Sequence, residues 1–222
     1  MKLLMIRHAE SVRNVALRGK TFYDQGQKKI NIPNRHIELT QTGVKQASCL
    51  YKTLTDLIHS HTIAPPDVTM SSGFTRANKT ADIVLEGLRR EDFVSPEIVH
   101  NHLIRERDSG YGYEMTEEES RRNFPYLKAH WTFEGKWFST PPGGESLVQV
   151  MDRAALFLHT LSLDERYKGK MVYAFSHGGF MQAVHMVVGK IPFEEAEALV
   201  KNPENCHFDI YSNEQGFWEK QS

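Results

Sequence analysis

The sequence predicts an α/β fold, a three-layer αβα sandwich with a mostly parallel central sheet and a lid insertion. Three observations carry that expectation. Leu3-Leu4-Met5-Ile6, Asp67–Ser72 and Met171–Phe175 are short apolar runs of the length and character of buried strands. Each is followed by a stretch that can form a helix, the alternation that builds a parallel sheet covered on both faces. Each run also ends in a polar cluster: Arg7-His8 after the first, Ser71-Ser72 with Arg76 just beyond for the second, and Ser176-His177-Gly178-Gly179 after the third.

At 222 residues the chain suits one large α/β domain, taken here as 1–222 with a lid insertion at about 108–144. Hydrophobic residues make up 40% and charged residues 25%, which supports a sizeable core and argues against disorder. The 27 Lys and Arg against 28 Asp and Glu leave a net charge of −1, so the overall charge points to neither nucleic acid nor a membrane as partner. An anion site must therefore be local. Cys49 and Cys206 have no spacing typical of a metal site or redox pair and read as reduced packing residues. No apolar run approaches the roughly 20 residues that span a bilayer, and the short apolar stretch after Met1-Lys2 is too brief for a signal peptide. A soluble, cytoplasmic protein is expected.

Taken in order, the first strand leads into a short helix from Ser11 to about Ala16, then a solvated loop from Gly19 to Pro33 containing Lys20, Lys28 and Lys29. Thr40 is a plausible N-cap for a helix whose Val44, Ala47, Leu50, Tyr51, Leu54, Leu57 and Ile58 keep helical spacing. His59 and His61 follow at its end, where imidazoles suit the helix dipole better than they suit a metal without a third ligand. Pro65-Pro66 breaks the chain before the second strand, and Phe74 to Leu88 is a helix with Ala77, Ala81, Val84, Leu85 and Leu88 on one face. Ile98-Val99-His100 is a further strand, with His100 and His102 as polar residues at its edge.

From Asp108 to Gly144 the pattern changes. Two glycines, the acidic run Glu117-Glu118-Glu119, four aromatics (Trp131, Phe133, Trp137, Phe138) and Pro141-Pro142-Gly143-Gly144 read as a segment folded over the main domain, its aromatics packing on one another. Ser146 to Leu161 is a strong amphipathic helix, and Phe180 to Val188 begins another after the third polar cluster. The tail offers a helix from Pro192 to Val200 and two short strands, His207–Tyr211 and Phe217–Glu219.

In open α/β sheets ligands bind at the carboxyl ends of the strands, beside helix N-termini that favour anions. Parallel strands would bring Arg7, His8, Arg76 and His177 together there, with Gly178-Gly179 letting backbone come close. Arginine forks match phosphate oxygens. A neutral imidazole among them can take a phosphoryl group as nucleophile, and a carboxylic acid nearby would protonate the leaving alkoxide. Glu106, Asp108 and Glu114 are the acids within reach of that role, and Asn14 suits either a phosphate contact or helix capping. Glu10 reads as support for the fold. No local ligand set for a metal is present, and no cofactor is expected.

Arg7-His8-Ala9-Glu10-Ser11 with Asn14, Ser72-Gly73-Phe74-Thr75-Arg76-Ala77-Asn78-Lys79-Thr80-Ala81, Leu103-Ile104-Arg105-Glu106, Gly143-Gly144-Glu145-Ser146 and Ser176-His177-Gly178 together resemble the histidine phosphatase superfamily, also called phosphoglycerate mutase-like. The matches keep the family order over nearly the whole chain. The resemblance implies that His8 becomes phosphorylated, that Arg7, Arg76 and His177 complete the phosphate pocket with Ser11, Asn14 and Gly178 at its edge, and that Glu106 is the proton donor. Asn34–Thr40 and Asn202–Cys206 look most like the broad-range acid phosphatase branch. Ala9 departs from the pattern, since the family commonly has Gly there, and a positive φ at Ala9 would be strained. The expected function is metal-independent hydrolysis of small phosphate esters through a phosphohistidine. The alternatives are mutase-type return of the phosphoryl group and a non-catalytic phospho-ligand module. The number of subunits is left open.

Overall fold

A computed structural model describes residues 1–221. Six strands, β1 (Lys2–Arg7), β2 (Val68–Ser71), β3 (Ile98–His100), β4 (Met171–Ser176), β5 (Phe208–Ser212) and β6 (Glu219–Lys220), form one sheet in the order β3-β2-β4-β1-β5-β6. The first four of that order are parallel; β5 and β6 join antiparallel. Eight α-helices accompany them among the described residues: α1 (Val12–Leu17), α2 (Gln41–His59), α3 (Thr75–Arg90), α4 (Glu117–Asn123), α5 (Leu127–Phe138), α6 (Leu147–Leu163), α7 (Gly178–Gly189) and α8 (Phe193–Leu199). None is long and apolar enough to cross a membrane.

The layers follow from strand periodicity. Side chains alternate across a strand, so Leu4 and Ile6 of β1, with Tyr173 and Phe175 of β4, face Leu50, Leu54 and Ile58 of α2 and Val84 and Leu88 of α3. Leu3 and Met5, with Val172 and Ala174, face Phe157 and Leu158 of α6 and Phe180 and Val184 of α7. β1 and β4 are covered on both sides, which is why they read as unbroken apolar runs. Each large side chain fully buried there contributes about 1.5–3 kcal/mol of transfer free energy.

The helices start where side chains close their first turns. Ser11 caps α1, Thr40 caps α2, Thr116 caps α4 and Ser146 caps α6. Gly43 lets α2 approach the first polar cluster, because a Cβ there would lie 2.1 Å from the Glu10 carbonyl oxygen. Ala9 is fully buried and is not among the residues of positive φ, so its methyl group introduces no backbone strain.

Three expectations need correcting. The aromatics of the 108–144 segment pack on rings outside it and not on one another: Trp131 stacks on Phe22, Trp137 and Phe138 meet Phe193 of α8, and Phe133 is exposed. The lid segment holds two helices, α4 and α5, that its pattern did not disclose; Tyr126 and Phe133 stand exposed and Gly135 interrupts α5 at φ 73°, so no continuous apolar stripe forms. The Gly19–Pro33 segment is docked rather than simply solvated. Tyr23 is buried and its N–H donates to Met115 O at 3.1 Å, Lys29 pairs with Glu119 at 2.7 Å, and Asn31 N–H donates to the Glu114 carboxylate. Loop and lid form one wall.

Candidate active site

Register places the chemistry. β1 and β4 pair with Arg7 opposite Ser176, so the next residues, His8 and His177, emerge side by side with ring centroids 5.0 Å apart. His8 N–H continues the ladder to Ser176 O at 3.0 Å, and Ser72 N–H, leaving β2, donates to Phe175 O. Arg76 enters from the first turn of α3, and His177 is the N-cap residue of α7, whose first N–H groups open toward the same point. Gly178 leaves room for the Asn202 side chain, whose Oδ1 would lie 2.1 Å from a Cβ placed there. The strand ends thus gather Arg7, His8, Arg76 and His177 as the sequence predicts.

The tautomer of His8 is assigned from its partners. Its Nδ1 lies 2.7 Å from the Ala9 carbonyl, which can only accept, so Nδ1 carries the proton. Nε2 then holds a lone pair and accepts from Arg76 Nε at 3.1 Å. Arg76 is also tied by Nη1 to Asn34 O at 2.7 Å. Ser72 Oγ stands 2.8 Å from His177 Nε2; with the hydroxyl donating, His177 Nδ1 keeps its proton. That Nδ1 and Arg7 Nε are buried without a hydrogen-bond partner among the described residues, while Arg7 Nη1 donates to Pro203 O. Buried donors of this kind suit an anion that accepts from them.

Desolvation sets the electrostatics. His8, His177 and Arg76 are 2%, 0% and 3% exposed. Burial, then Arg76, push His8 well below the ordinary imidazole range; the Ala9 hydrogen bond opposes them, and Arg7 adds a smaller push downward. Burial, then Arg76, His8, Arg7 and Arg153, do the same to His177. Burial lowers the Arg76 guanidinium to about 10 although Glu106 opposes it, and lowers Arg7 as well. Both imidazoles are neutral and both guanidiniums charged near neutrality.

A cavity of about 730 Å³ opens above this cluster, lined among others by Arg7, His8, Ser11, Asn14, Arg76, Glu106 and Gly178. Of the three candidate acids, only Glu106 lies there. Its Oε2 is 3.9 Å from His177 Nδ1 and its Oε1 accepts from Arg107 N–H. Asp108 is exposed and accepts from Gly110 N–H, and Glu114 is engaged by Asn31. Asn14 serves as cap and lining at once: its Oδ1 accepts from Ser11 N–H and Ser11 Oγ in a capping box. Glu10 accepts from Thr40 Oγ1 at 2.6 Å, a supporting contact as expected.

Several further neighbours of the site have no role that their residue type discloses. Asn205 Nδ2 donates to His8 O at 2.9 Å, and Thr80 Oγ1 accepts from Ala9 N–H at 3.0 Å. Arg13 and Arg107 line the cavity, and Arg13 lies 4.0 Å from the centre of the Tyr113 ring in the lid.

The profile of the histidine phosphatase superfamily (branch 1) matches residues 3–222. The chain belongs to that superfamily. A 2,3-bisphosphoglycerate-dependent phosphoglycerate mutase of Parvibaculum lavamentivorans is 30% identical over 133 residues, 60% of this chain and 61% of that one. The mutase of the same description from Allorhizobium ampelinum is 25% identical over 193 residues, 87% and 82% of the two chains. Among solved structures, a mycobacterial glucosyl-3-phosphoglycerate phosphatase superposes with a TM-score of 0.69 at 22% identity, covering 99% of this chain and 96% of its own. A structure described as mycobacterial hydrolase 1 reaches 0.72 at 21%, over 100% and 96%. At such identities these structures show a shared fold.

In this histidine phosphatase fold, His8, Glu106 and His177 present ligand atoms within 4.8 Å of one another, a spacing that a metal ion could bridge. The surrounding charge favours an anion instead. Arg76 already donates to His8 Nε2, and Arg7 and Arg76 both act on the histidines as neighbouring cations.

The two buried histidines also set an acid limit on stability. Their folded pKa values lie below the unfolded ones, so the unfolded chain binds more protons as pH falls. The stability they confer is complete above about pH 6.5 and is lost as pH falls through the folded values, at about 1.4 kcal/mol per pH unit for each ring. Thermal unfolding at fixed ionic strength is expected to show Tm falling below about pH 6.5, and added inorganic phosphate to flatten the fall by favouring the protonated rings. A Tm unchanged down to about pH 5 would contradict neutral burial of the pair.

Proposed function

We propose that the protein is a metal-independent phosphomonoesterase that hydrolyses small phosphate esters through a phosphohistidine on His8. The observation that carries this reading is the pinned tautomer: the Ala9 carbonyl holds the proton on Nδ1 and leaves the Nε2 lone pair at the base of the arginine-lined cavity. In the first step Nε2 forms a bond to phosphorus as the ester P–O bond breaks, and Glu106 in its acid form gives the departing alkoxide its proton. Arg7, Arg76 and His177 donate to the equatorial oxygens, where charge stabilisation does most of the work. Asn14, Ser11 and the N–H of Gly178 complete the rim. In the second step water attacks phosphorus, Glu106 as carboxylate takes its proton, and His8 and inorganic phosphate are released.

Mutase chemistry uses the same phosphoenzyme and is favoured by one finding, the similarity to proteins described as phosphoglycerate mutases. The two differ in whether the product stays long enough to take the phosphoryl group back. The test is phosphate release from a panel of phosphomonoesters in EDTA, together with product analysis on 3-phosphoglycerate and quenched-flow trapping of acid-labile phosphate on the protein. Release that survives the chelator supports the phosphatase. Isomerised phosphoester without net release supports the mutase. Ester binding with no acid-labile phosphate overturns both in favour of a binding module.

A further inference from the structure

Glu106 has to be aimed, yet the segment that carries it has little regular structure. Residues 105–109 lie between two short 3-10 turns, His102–Ile104 and Gly110–Gly112, and belong to no helix or strand. The carboxylate accepts from the N–H of its own neighbour Arg107, so its direction is the direction of that backbone. Something outside the segment must hold it.

Glu145 and Arg153 do so from both sides. Arg153 Nε and Nη2 donate to the two Glu145 oxygens at 2.9 and 3.0 Å, a bidentate pair in which the side chains are 11% and 15% exposed. Arg153 Nη1 donates to Leu103 O and, at 3.4 Å, to Arg105 O, just before Glu106. Glu145 also accepts from the Arg105 guanidinium and, at 3.0 Å, from Asp108 N–H, just after Glu106. Its backbone closes the frame: Glu145 N–H donates to Asp108 O at 3.0 Å, and Glu145 O accepts from Arg107 Nε at 2.7 Å. Glu106 sits in the middle of a clamped segment.

The clamp is anchored in the core. Arg153 belongs to α6, with its guanidinium 5.7 Å from the centre of the Phe180 ring, and α6 packs on α7, whose N-terminus lies at the site. Burial alone would raise the Glu145 pKa, but the hydrogen bonds from Arg153 and Asp108 and the charges of Arg153 and Arg105 hold it below the ordinary value. Glu145 is therefore ionised whenever the enzyme works.

We infer that Glu145 and Arg153 are positioning residues for proton transfer: their ion pair fixes the Arg105–Asp108 segment so that Glu106 meets the leaving-group oxygen. This rests on the reading of Glu106 as the acid. Glu145→Gln keeps the shape and removes the charge, so the segment loosens while Arg7, His8, Arg76 and His177, held by other contacts, stay in place.

A mispositioned acid leaves a particular kinetic trace. Nitrophenolate departs without a proton, whereas an alkoxide needs one, and kcat/KM reports the step in which it leaves. Glu145→Gln is expected to lower kcat/KM for an alkyl phosphate by about 10- to 100-fold and for p-nitrophenyl phosphate by less than about threefold, with Glu106→Gln showing the same selectivity more strongly. Arg153→Lys, which keeps the charge but loses the fork, should show a smaller selective loss and covers the case in which Glu145→Gln fails to fold. Inorganic phosphate should still raise the Tm of each variant. Equal losses on both substrates, or none, overturn the inference. If Glu106→Gln itself shows no leaving-group selectivity, the acid assignment falls and the clamp with it. If the wild type releases no phosphate from either ester, the phosphatase reading fails first.

Discussion

His8→Ala is expected to lower phosphate release by about four orders of magnitude or more, the scale on which removal of a covalent nucleophile acts. The group lost is a lone pair at the base of the cavity, pinned by tautomer and framed by guanidiniums. Water positioned by the same arginines can supply a small residue of activity. The pocket itself should survive, because Arg7 is held by Pro203 O and Arg76, although it loses its contact to His8, keeps its bond to Asn34 O. Inorganic phosphate should therefore still raise Tm by mass action. Loss of one desolvated imidazole should also reduce the acid slope of stability. The decisive reading is acid-labile phosphate after a rapid quench, present in the wild type and missing from the variant. Trapped phosphate in His8→Ala would place the nucleophile elsewhere.

Much of this was legible in the sequence because it depends on strands and their ends. Buried parallel strands announce themselves as apolar runs, and a shared register carries the residues just beyond them to one place; His8 and His177 meet because Arg7 pairs with Ser176. Asn34–Thr40 and Asn202–Cys206 offered no chemistry to a reader of side chains. Two of their contacts to the site are made by backbone: Asn34 O takes Arg76 and Pro203 O takes Arg7. A carbonyl is present at every position, so sequence carries no signal for which one serves as an acceptor.

The lid escaped for a different reason. α4 and α5 are short; α4 carries no apolar residue at all, and the outward Phe133 and the break at Gly135 interrupt the periodicity of α5 by which a helix is recognised. Glu145 was visible as part of a motif, yet its proposed role depends on Arg153, eight positions on and nearly two turns inside α6, meeting a segment forty residues earlier. Only folding brings those three together. Ala9 is the converse case, a departure from the family pattern that costs nothing because the backbone there does not need a positive φ.

Arg76→Met is expected to separate activity from stability. A buried guanidinium pushed down to about 10 from 12.5 is a charge that the folded state holds at a cost of about 3 kcal/mol by the usual conversion. Replacing it with an uncharged chain of similar length relieves that cost, while leaving Asn34 O and His8 Nε2 without a donor forfeits about 1–3 kcal/mol for each. The two sides nearly cancel, so Tm should stay close to that of the wild type, in contrast to most buried truncations. Catalysis has no such compensation. In the proposed mechanism the guanidinium supplies charge at the equatorial oxygens, so its loss should lower kcat/KM by about 10³-fold. Arg76 is also the leading charge that lowers the His8 pKa. Without it that pKa rises, and the acid limb of kcat/KM moves to higher pH. Tm and the pH profile of the variant test the assignment together. A large fall in Tm would make Arg76 a structural residue, and an acid limb that stays in place would mean that Arg76 does not govern the charge on His8.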